Sequence, residues 1–478
     1  MITTRQIKQF LQRRFHFDKF KPGQLPIIQA VLQHRDALGV LPTGTGKSLC
    51  YQLPGMLMNG LTLIVSPLLS LMNDQVQQLQ MLHEKRVVAL NSLLSFAEKQ
   101  TVLRHLEHYR FIFLAPETLT QADVLQRLKK CHIGLFVIDE AHCISQWGPD
   151  FRPDYLTLGT IKKQLHPDAT LALTATATPV VQKDILQQLQ LQHPLCQVTT
   201  VDRPNIYLAT VHVPNEVTKQ QQILKTVEHC QGPGIIYFSS RQKTEEMADW
   251  LQQNAHLRTA YYHGELNSNE RFLVQEQFRN GEIDVICATS AFGMGINQPN
   301  IRFVIHYHMP NDLESYWQEI GRAGRDGKQS IAVLFYSDSD LQLQRLLINN
   351  DLPNKAVIEL FYKNPQWFSK VNTPEFELLT RYYQQHIPMQ QVIKLLQTRS
   401  YEKQDSLQKM ITFVTTDSCK RAFLLNYFGA QQHIVHTDEC CDFTPDPHIL
   451  QKLGLYITKP KITTVELTPW STILKQLF

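Results

Sequence analysis

The sequence predicts an α/β protein with two parallel-sheet domains in tandem and a small, mainly helical C-terminal domain. Three observations predict it. A glycine turn, Leu41-Pro42-Thr43-Gly44-Thr45-Gly46-Lys47-Ser48, follows the apolar run 37–40 and precedes a helical stretch, the strand–turn–helix setting of a phosphate-binding loop. Further on, the apolar run Leu135-Phe136-Val137-Ile138 ends in Asp139 and Glu140, as a buried parallel strand does when it delivers carboxylates at its C-terminal edge. Strand-like and helical stretches alternate up to residue 345 and then stop alternating.

Residues 1–36 read as helix, turn, helix, with Ile7, Phe10, Leu11 and Phe15 at helical spacing and a break at Pro22-Gly23. The break carries Phe20, Lys21 and Gln24, and an amide such as that of Gln24 can both donate to and accept from an adenine edge. In the loop that follows, Gly44 and Gly46, flanked by Thr43 and Thr45, let backbone N–H groups curl round phosphate oxygens. Lys47 is placed to reach the outer phosphates and the Ser48 hydroxyl to sit on Mg²⁺. The strict pattern opens on a glycine where this chain has Leu41, so the loop is a variant. Asp139 is the second expected Mg²⁺ ligand, and Glu140 is expected to orient or deprotonate the attacking water. Strands are expected at 61–65, 87–90, 111–114, 135–138 and 170–173. The Thr174 and Thr176 hydroxyls that close the last of these are expected to bond toward Asp139 or Glu140.

After the polar joint 201–205 a second alternation begins, with strands expected at 234–238, 259–262, 284–288, 303–306 and 330–335. It holds no second phosphate loop with a lysine. Two α/β domains with one nucleotide loop imply an ATP site whose second wall supplies positive charge. The segment Gln318-Glu319-Ile320-Gly321-Arg322-Ala323-Gly324-Arg325 suits that task, with Arg322 and Arg325 reaching the γ-phosphate and Gln318 beside them. The expected domains are therefore 1–205, 206–345 and 346–478. At 478 residues the chain is too long for one core, and its net charge of +4 says little about partners. It has no apolar run of about 18 residues and no signal-like start, so a cytoplasmic protein that binds no membrane is expected. Nine scattered cysteines do not form a disulfide framework.

These residues resemble the RecQ-type DNA helicases of superfamily 2 over about residues 7 to 444. Residues 20–24 are similar to that family's adenine-reading segment, with Lys21 where arginine is usual, and Pro42 to Pro54 match its phosphate loop, including the missing first glycine. Residues 66–75, with Ser66 and Asn73, resemble a strand-contacting motif, and Thr289 leads into another at 290–297. The most diagnostic stretch is 139–155, where the resemblance implies an aromatic-rich loop that senses single-stranded DNA. Gln146, Trp147, Phe151 and Arg152 fall in it; Trp147 and Phe151 offer stacking faces, and Arg152 adds charge next to the catalytic carboxylates. Pro149 stands where histidine is usual. The resemblance implies two RecA-like domains, 3′-to-5′ movement, ATP and Mg²⁺ as cofactors, a DNA partner with a single-stranded region, a monomer, and a role in repair or recombination. An RNA-dependent ATPase and a catalytically silent DNA-binding protein are the rival readings.

Departures from the family gather at the C-terminus. The start at Cys419 resembles a zinc-binding domain, but the family spacing C-x₂-C-x₂-C falls here on Asp438, Cys441 and Thr444. That leaves Cys419 and Cys441 as remnants. Cys440 is extra, and adjacent side chains are expected to diverge, with His433, His436 and Asp442 as possible substitutes, so zinc is not expected to bind. Only 34 residues follow Thr444, so neither a winged-helix domain nor a further helical domain is expected.

Overall fold

The computed structural model describes residues 2–67, 69–91, 94–145, 153–293, 298–350, 352–368, 371, 373–384, 386–430, 436–442 and 447–458. The chain divides into two compact units, Met1–Val201 and Asp202–Phe478.

The first unit is built on strands β1 (Ala37–Val40), β2 (Leu61–Val65), β3 (Val87–Leu90), β4 (Phe111–Leu114), β5 (Ile133–Ile138), β6 (Ala169–Thr174) and β7 (Leu195–Val198). They form one parallel sheet in the order β3-β4-β2-β5-β6-β1-β7. Every residue of β1, β2, β4, β5 and β6 is buried, because helices cover both faces of a parallel sheet. The two-residue period of a strand then feeds two cores. Leu63, Val65, Phe136 and Ile138 pack on one face, and Ile64, Leu135 and Val137 on the other. The opening helix Thr4–Phe10 starts at a capping box between Thr3 and Gln6, and Gly23 precedes the helix Gln24–Leu32 with a φ of 84°.

The second unit repeats the plan with β8 (Ile206–His212), β9 (Gly234–Tyr237), β10 (Thr259–Tyr262), β11 (Val285–Ala288), β12 (Phe303–His306), β13 (Ser330–Tyr336) and β14 (Cys441–Asp442), ordered β10-β11-β9-β12-β13-β8-β14. Helices follow β13, including the long Met389–Thr415, and three of them close a separate apolar cluster around Phe361, Leu379, Tyr382 and Val392. The fold class is the one read from the sequence. Three strands, β7, β8 and β14, escaped that reading. β7 and β14 are edge strands, and β14, two residues long, is below what any pattern detects. It returns from the helical region to pair with β8 at Leu208 and Ala209.

Candidate active site

Within the first unit the order of strands brings the chemistry together. β5 and β1 both flank β6, so their C-terminal ends open on one side of the sheet edge, where ligands of α/β proteins bind. β1 runs into the glycine turn, which bends through left-handed Gly44 and Gly46, φ 82° and 73°, before the helix Leu49–Leu57. β5 ends at Asp139, whose N–H donates to Val65 O on β2. Glu140 then adopts a left-handed conformation, φ 48°, with its N–H donating to Asp139 Oδ1 at 3.0 Å. That turn throws the Glu140 carboxylate toward the loop, and Lys47 Nζ lies 3.3 Å from Glu140 Oε1. A non-glycine residue held at such a φ carries a local cost that surrounding packing must offset.

Asp139 and Glu140 are 7% and 8% exposed. Burial first, then the charge of Glu140, push the Asp139 carboxyl up to about 6. Two buried carboxylates against one lysine leave an excess of negative charge, and that donor set fits a divalent cation at Asp139 and Ser48. Bound there, Mg²⁺ would offset charge on the phosphates.

The sequence reading gave His142 no role, and the structure gives it one. Its ring stands 3.4 Å from Glu140 Oε2, and its Nδ1 pairs with Thr174 Oγ1 at 2.9 Å. Burial lowers its pKa, so a neutral ring bonds the end of β6 through Nδ1 and stands beside the second carboxylate. Thr174 was expected to meet Asp139 or Glu140 directly; it meets His142 instead, and its hydroxyl donates to Thr176 O. The imidazole lies next to both groups, 2.9 Å from Thr174 Oγ1 and 3.4 Å from Glu140 Oε2, and takes the bond that the carboxylate was expected to make.

The loop is also held from the N-terminal side. Lys21 Nζ donates to Gly44 O at 2.7 Å, and Gln24 Nε2 donates to Thr45 O and Gly46 O at 2.7 and 3.0 Å. Gln24 Oε1 accepts from Lys21 N–H. The segment expected to read adenine thus braces the phosphate loop, and its Phe20 packs, partly buried, against the apolar core of the first unit. Thr45 turns its hydroxyl back to Pro42 O, and Thr43 occupies the same turn. Behind the helix, Tyr51 Oη and Gln52 Nε2 both donate to Gln75 Oε1, a buried tie to the motif that begins at Ser66. Ser66 itself is 1% exposed, and Asn73 Oδ1 accepts from Asn91.

In the second unit the two arginines sit at the end of the helix Leu313–Ile320, which carries Gln318. Arg322 is buried, with Nη1 donating to Gly293 O. Arg325 is half-buried, and burial together with Arg322 and Arg203 lowers its pKa. Arg203 organises this turn by donating to Gly321 O, Ala323 O and Gly324 O at 2.8–2.9 Å, a positioning role that the sequence reading did not find. Thr289 follows β11, and its N–H donates to Tyr262 O. Gln146, Trp147, Phe151 and Arg152, the expected DNA sensor, lie outside the described residues, as do residues 294–297.

The C-terminal cysteines correct the metal expectation. Cys419, His436, Cys440 and Cys441 bring one ligand atom each within 4.8 Å of one another. The expected divergence of adjacent side chains holds in an extended strand, but Cys440 closes a turn, its N–H donating to Thr437 O, and the strand begins only at Cys441. Three sulfurs and an imidazole nitrogen are a donor set that fits zinc.

Three known families match stretches of this chain. A DEAD/DEAH box helicase family matches residues 21–185, a helicase conserved C-terminal domain matches 218–327, and a RecQ zinc-binding family matches 379–444. The last match, with the cysteine–histidine cluster, contradicts the expectation that zinc is unlikely. A probable ATP-dependent DNA helicase, RecS, of Bacillus subtilis is 40% identical over 99% of this chain and 98% of its own length. The ATP-dependent DNA helicase RecQ of Pasteurella multocida is 36% identical over 91% of this chain, which spans 61% of that protein. Among solved structures, the DUF1998 helicase MrfA bound to DNA aligns over 77% of this chain and 53% of its own with a TM-score of 0.59 at 18% identity. A DEAD-box helicase bound to single-stranded RNA aligns over 95% of both chains with a TM-score of 0.60 at 19% identity, a likeness of fold.

Proposed function

Because this chain belongs to the RecQ family of ATP-dependent DNA helicases, we propose that its residues couple ATP hydrolysis to movement along one DNA strand, in the 3′-to-5′ direction, and so separate the duplex. The observation that carries the reading is the meeting of the phosphate loop and two buried carboxylates at neighbouring strand ends, with Lys47 already 3.3 Å from Glu140. Lys47 stabilises charge on the transferred phosphoryl, Asp139 and Ser48 hold the metal, and Glu140, oriented by His142, positions the attacking water. Arg322 and Arg325 add positive charge as the phosphoryl moves, held ready by Arg203 and Gly293. Gln24, Lys21 and Phe20 meet the nucleotide after the loop lets go of the Gln24 amide, and Gln318 contributes from the second unit.

We assign residues 1–205 and 206–345 as RecA-like motor domains and 346–478 as a C-terminal region with one structural zinc. DNA with a single-stranded region is the partner, contacted by Ser66, Asn73, Gln146, Trp147, Phe151, Arg152, Thr174, Thr176 and Thr289 as binding or coupling residues. The protein acts as a monomer in the cytoplasm, in repair or recombination. No described helix is long and apolar enough to cross a membrane. Direction is tested by strand displacement on duplexes with a 3′ or a 5′ overhang. ATP-dependent release from the 3′ overhang alone supports the reading, and release from the 5′ overhang alone overturns its polarity.

A further inference from the structure

The cysteine cluster sits where the second sheet would otherwise have an open edge. β8 pairs with β13 along its full length on one side; on the other, among the described residues, Leu208 and Ala209 are covered, by Cys441 and Asp442 of β14. Leu208 N–H donates to Cys440 O at 3.3 Å, so a residue of the cluster supplies an acceptor to the edge strand.

Three distances within the cluster are close to the edge of a coordination tetrahedron. Cys419 Sγ is 3.5 Å from Cys441 Sγ and 3.7 Å from Cys440 Sγ, and Cys441 Sγ is 3.7 Å from His436 Nδ1. Zinc–sulfur bonds of ~2.3 Å in tetrahedral geometry put the sulfurs ~3.8 Å apart. Asp438, which the family spacing would make a ligand, is not in the group.

Arg421 joins this cluster to the chain entering the sheet. Its side chain is buried; Nε donates to Cys440 Sγ at 3.3 Å, Nη1 to Asp202 Oδ1 at 2.7 Å and to Arg203 O at 2.9 Å, and Nη2 to Ile206 O. A guanidinium beside a thiolate offsets part of the charge that three thiolates bring to one zinc. The same group grips residues 202–206, with which the second unit begins.

We propose that zinc is held here by Cys419, His436, Cys440 and Cys441, with vicinal cysteines in place of the family spacing, and that this centre, through β14 and Arg421, fastens the edge strand β8 and the segment 202–206. The inference rests on the reading that the C-terminal region binds zinc, and adds which residues hold it and what it holds in place. Arg421 is a positioning residue in this scheme and touches no metal.

Metal analysis of the purified full chain, paired with amide exchange, tests it. The parent carries one zinc; Cys440→Ser and His436→Ala each lower zinc affinity about tenfold or more, Asp438→Ala matches the parent, and His436→Cys keeps the metal. Should Cys440→Ser fail to fold, cobalt substituted into the parent gives the thiolate-to-metal bands of three sulfurs. Chelation speeds exchange of Leu208 N–H and leaves Ile235 N–H, in the middle of the sheet, protected; Arg421→Ala does the same in part while zinc is still bound. A parent without zinc overturns the metal reading itself. A parent with zinc that Asp438→Ala removes and His436→Ala does not, or a two-sulfur cobalt spectrum, overturns the ligand set alone. Leu208 N–H still protected after chelation overturns the fastening role.

Discussion

Lys47 Nζ and Glu140 Oε1 lie 3.3 Å apart, with both side chains largely buried. The lysine that is to meet phosphate is therefore already paired with the carboxylate that is to meet water. In the proposed scheme ATP draws Lys47 toward the phosphates and away from Glu140 Oε1, while His142 stays 3.4 Å from Glu140 Oε2. In that scheme one contact links binding of the nucleotide to activation of the base.

Removing either partner separates the two roles. Lys47→Ala is expected to lose both tight ATP binding and turnover, whereas Glu140→Gln keeps ATP binding and loses turnover, each by on the order of 10²-fold or more. Steady-state hydrolysis beside equilibrium nucleotide binding checks this. Turnover of either variant within about tenfold of the parent contradicts the assignment.

Gly293 makes a second, less obvious target. A side chain there would run into the guanidinium of Arg322, which donates to Gly293 O. Gly293→Ala should push Arg322 aside and lower kcat by on the order of 10²-fold, as loss of a charge made only in the transition state does, with KM for ATP little changed. Arg322→Ala should move kcat the same way. If Gly293→Ala turns over like the parent while Arg322→Ala does not, the two residues are independent.

Trp147 tests coupling. Trp147→Ala should lose stimulation of hydrolysis by single-stranded DNA while most DNA affinity persists, since phosphate contacts dominate affinity and one stack is worth about 1–3 kcal/mol. Titration of DNA against both binding and turnover distinguishes the roles: surviving stimulation with collapsed binding makes the residue an anchor.

Much of this was legible in the sequence, because the motor's chemistry sits in contiguous motifs. The loop at 41–48 and the acids at 139 and 140 declare themselves by residue type and by the apolar runs before them, and a buried parallel strand is hard to mistake. What escaped was carried by tertiary placement. His142 lies inside a quoted motif, yet its bond to Thr174 depends on β5 and β6 being neighbours. Arg203 braces a turn more than a hundred residues away in sequence, and no local pattern announces that. The cysteine pair was misjudged because a rule for strands was applied to a residue in a turn.

A pH dependence of stability follows from Glu314, which is buried on the helix Leu313–Ile320 and accepts a hydrogen bond from Tyr427 Oη. Burial first, then the carboxylate of Asp312, push its pKa up to about 7. Unfolded, it is an ordinary acid near ~4.3, so the folded state holds the proton more tightly. Its contribution is complete below the unfolded value and is lost as pH rises through about 7. Glu314→Gln, neutral and still an acceptor, should raise the thermal midpoint relative to the parent at about pH 8 and much less at about pH 5. Equal shifts at both values would remove the titration from the explanation.

The central claim is that hydrolysis at the Lys47–Glu140 site is driven by DNA and spent on strand separation. The direct measurement is ATP turnover by the purified chain alone, with single-stranded DNA and with RNA, read beside displacement of a strand from a duplex with a 3′ overhang. DNA should stimulate turnover well beyond RNA, and displacement should require both ATP and Mg²⁺ and vanish in Glu140→Gln. Turnover indifferent to DNA, together with no ATP-dependent displacement, would contradict the claim.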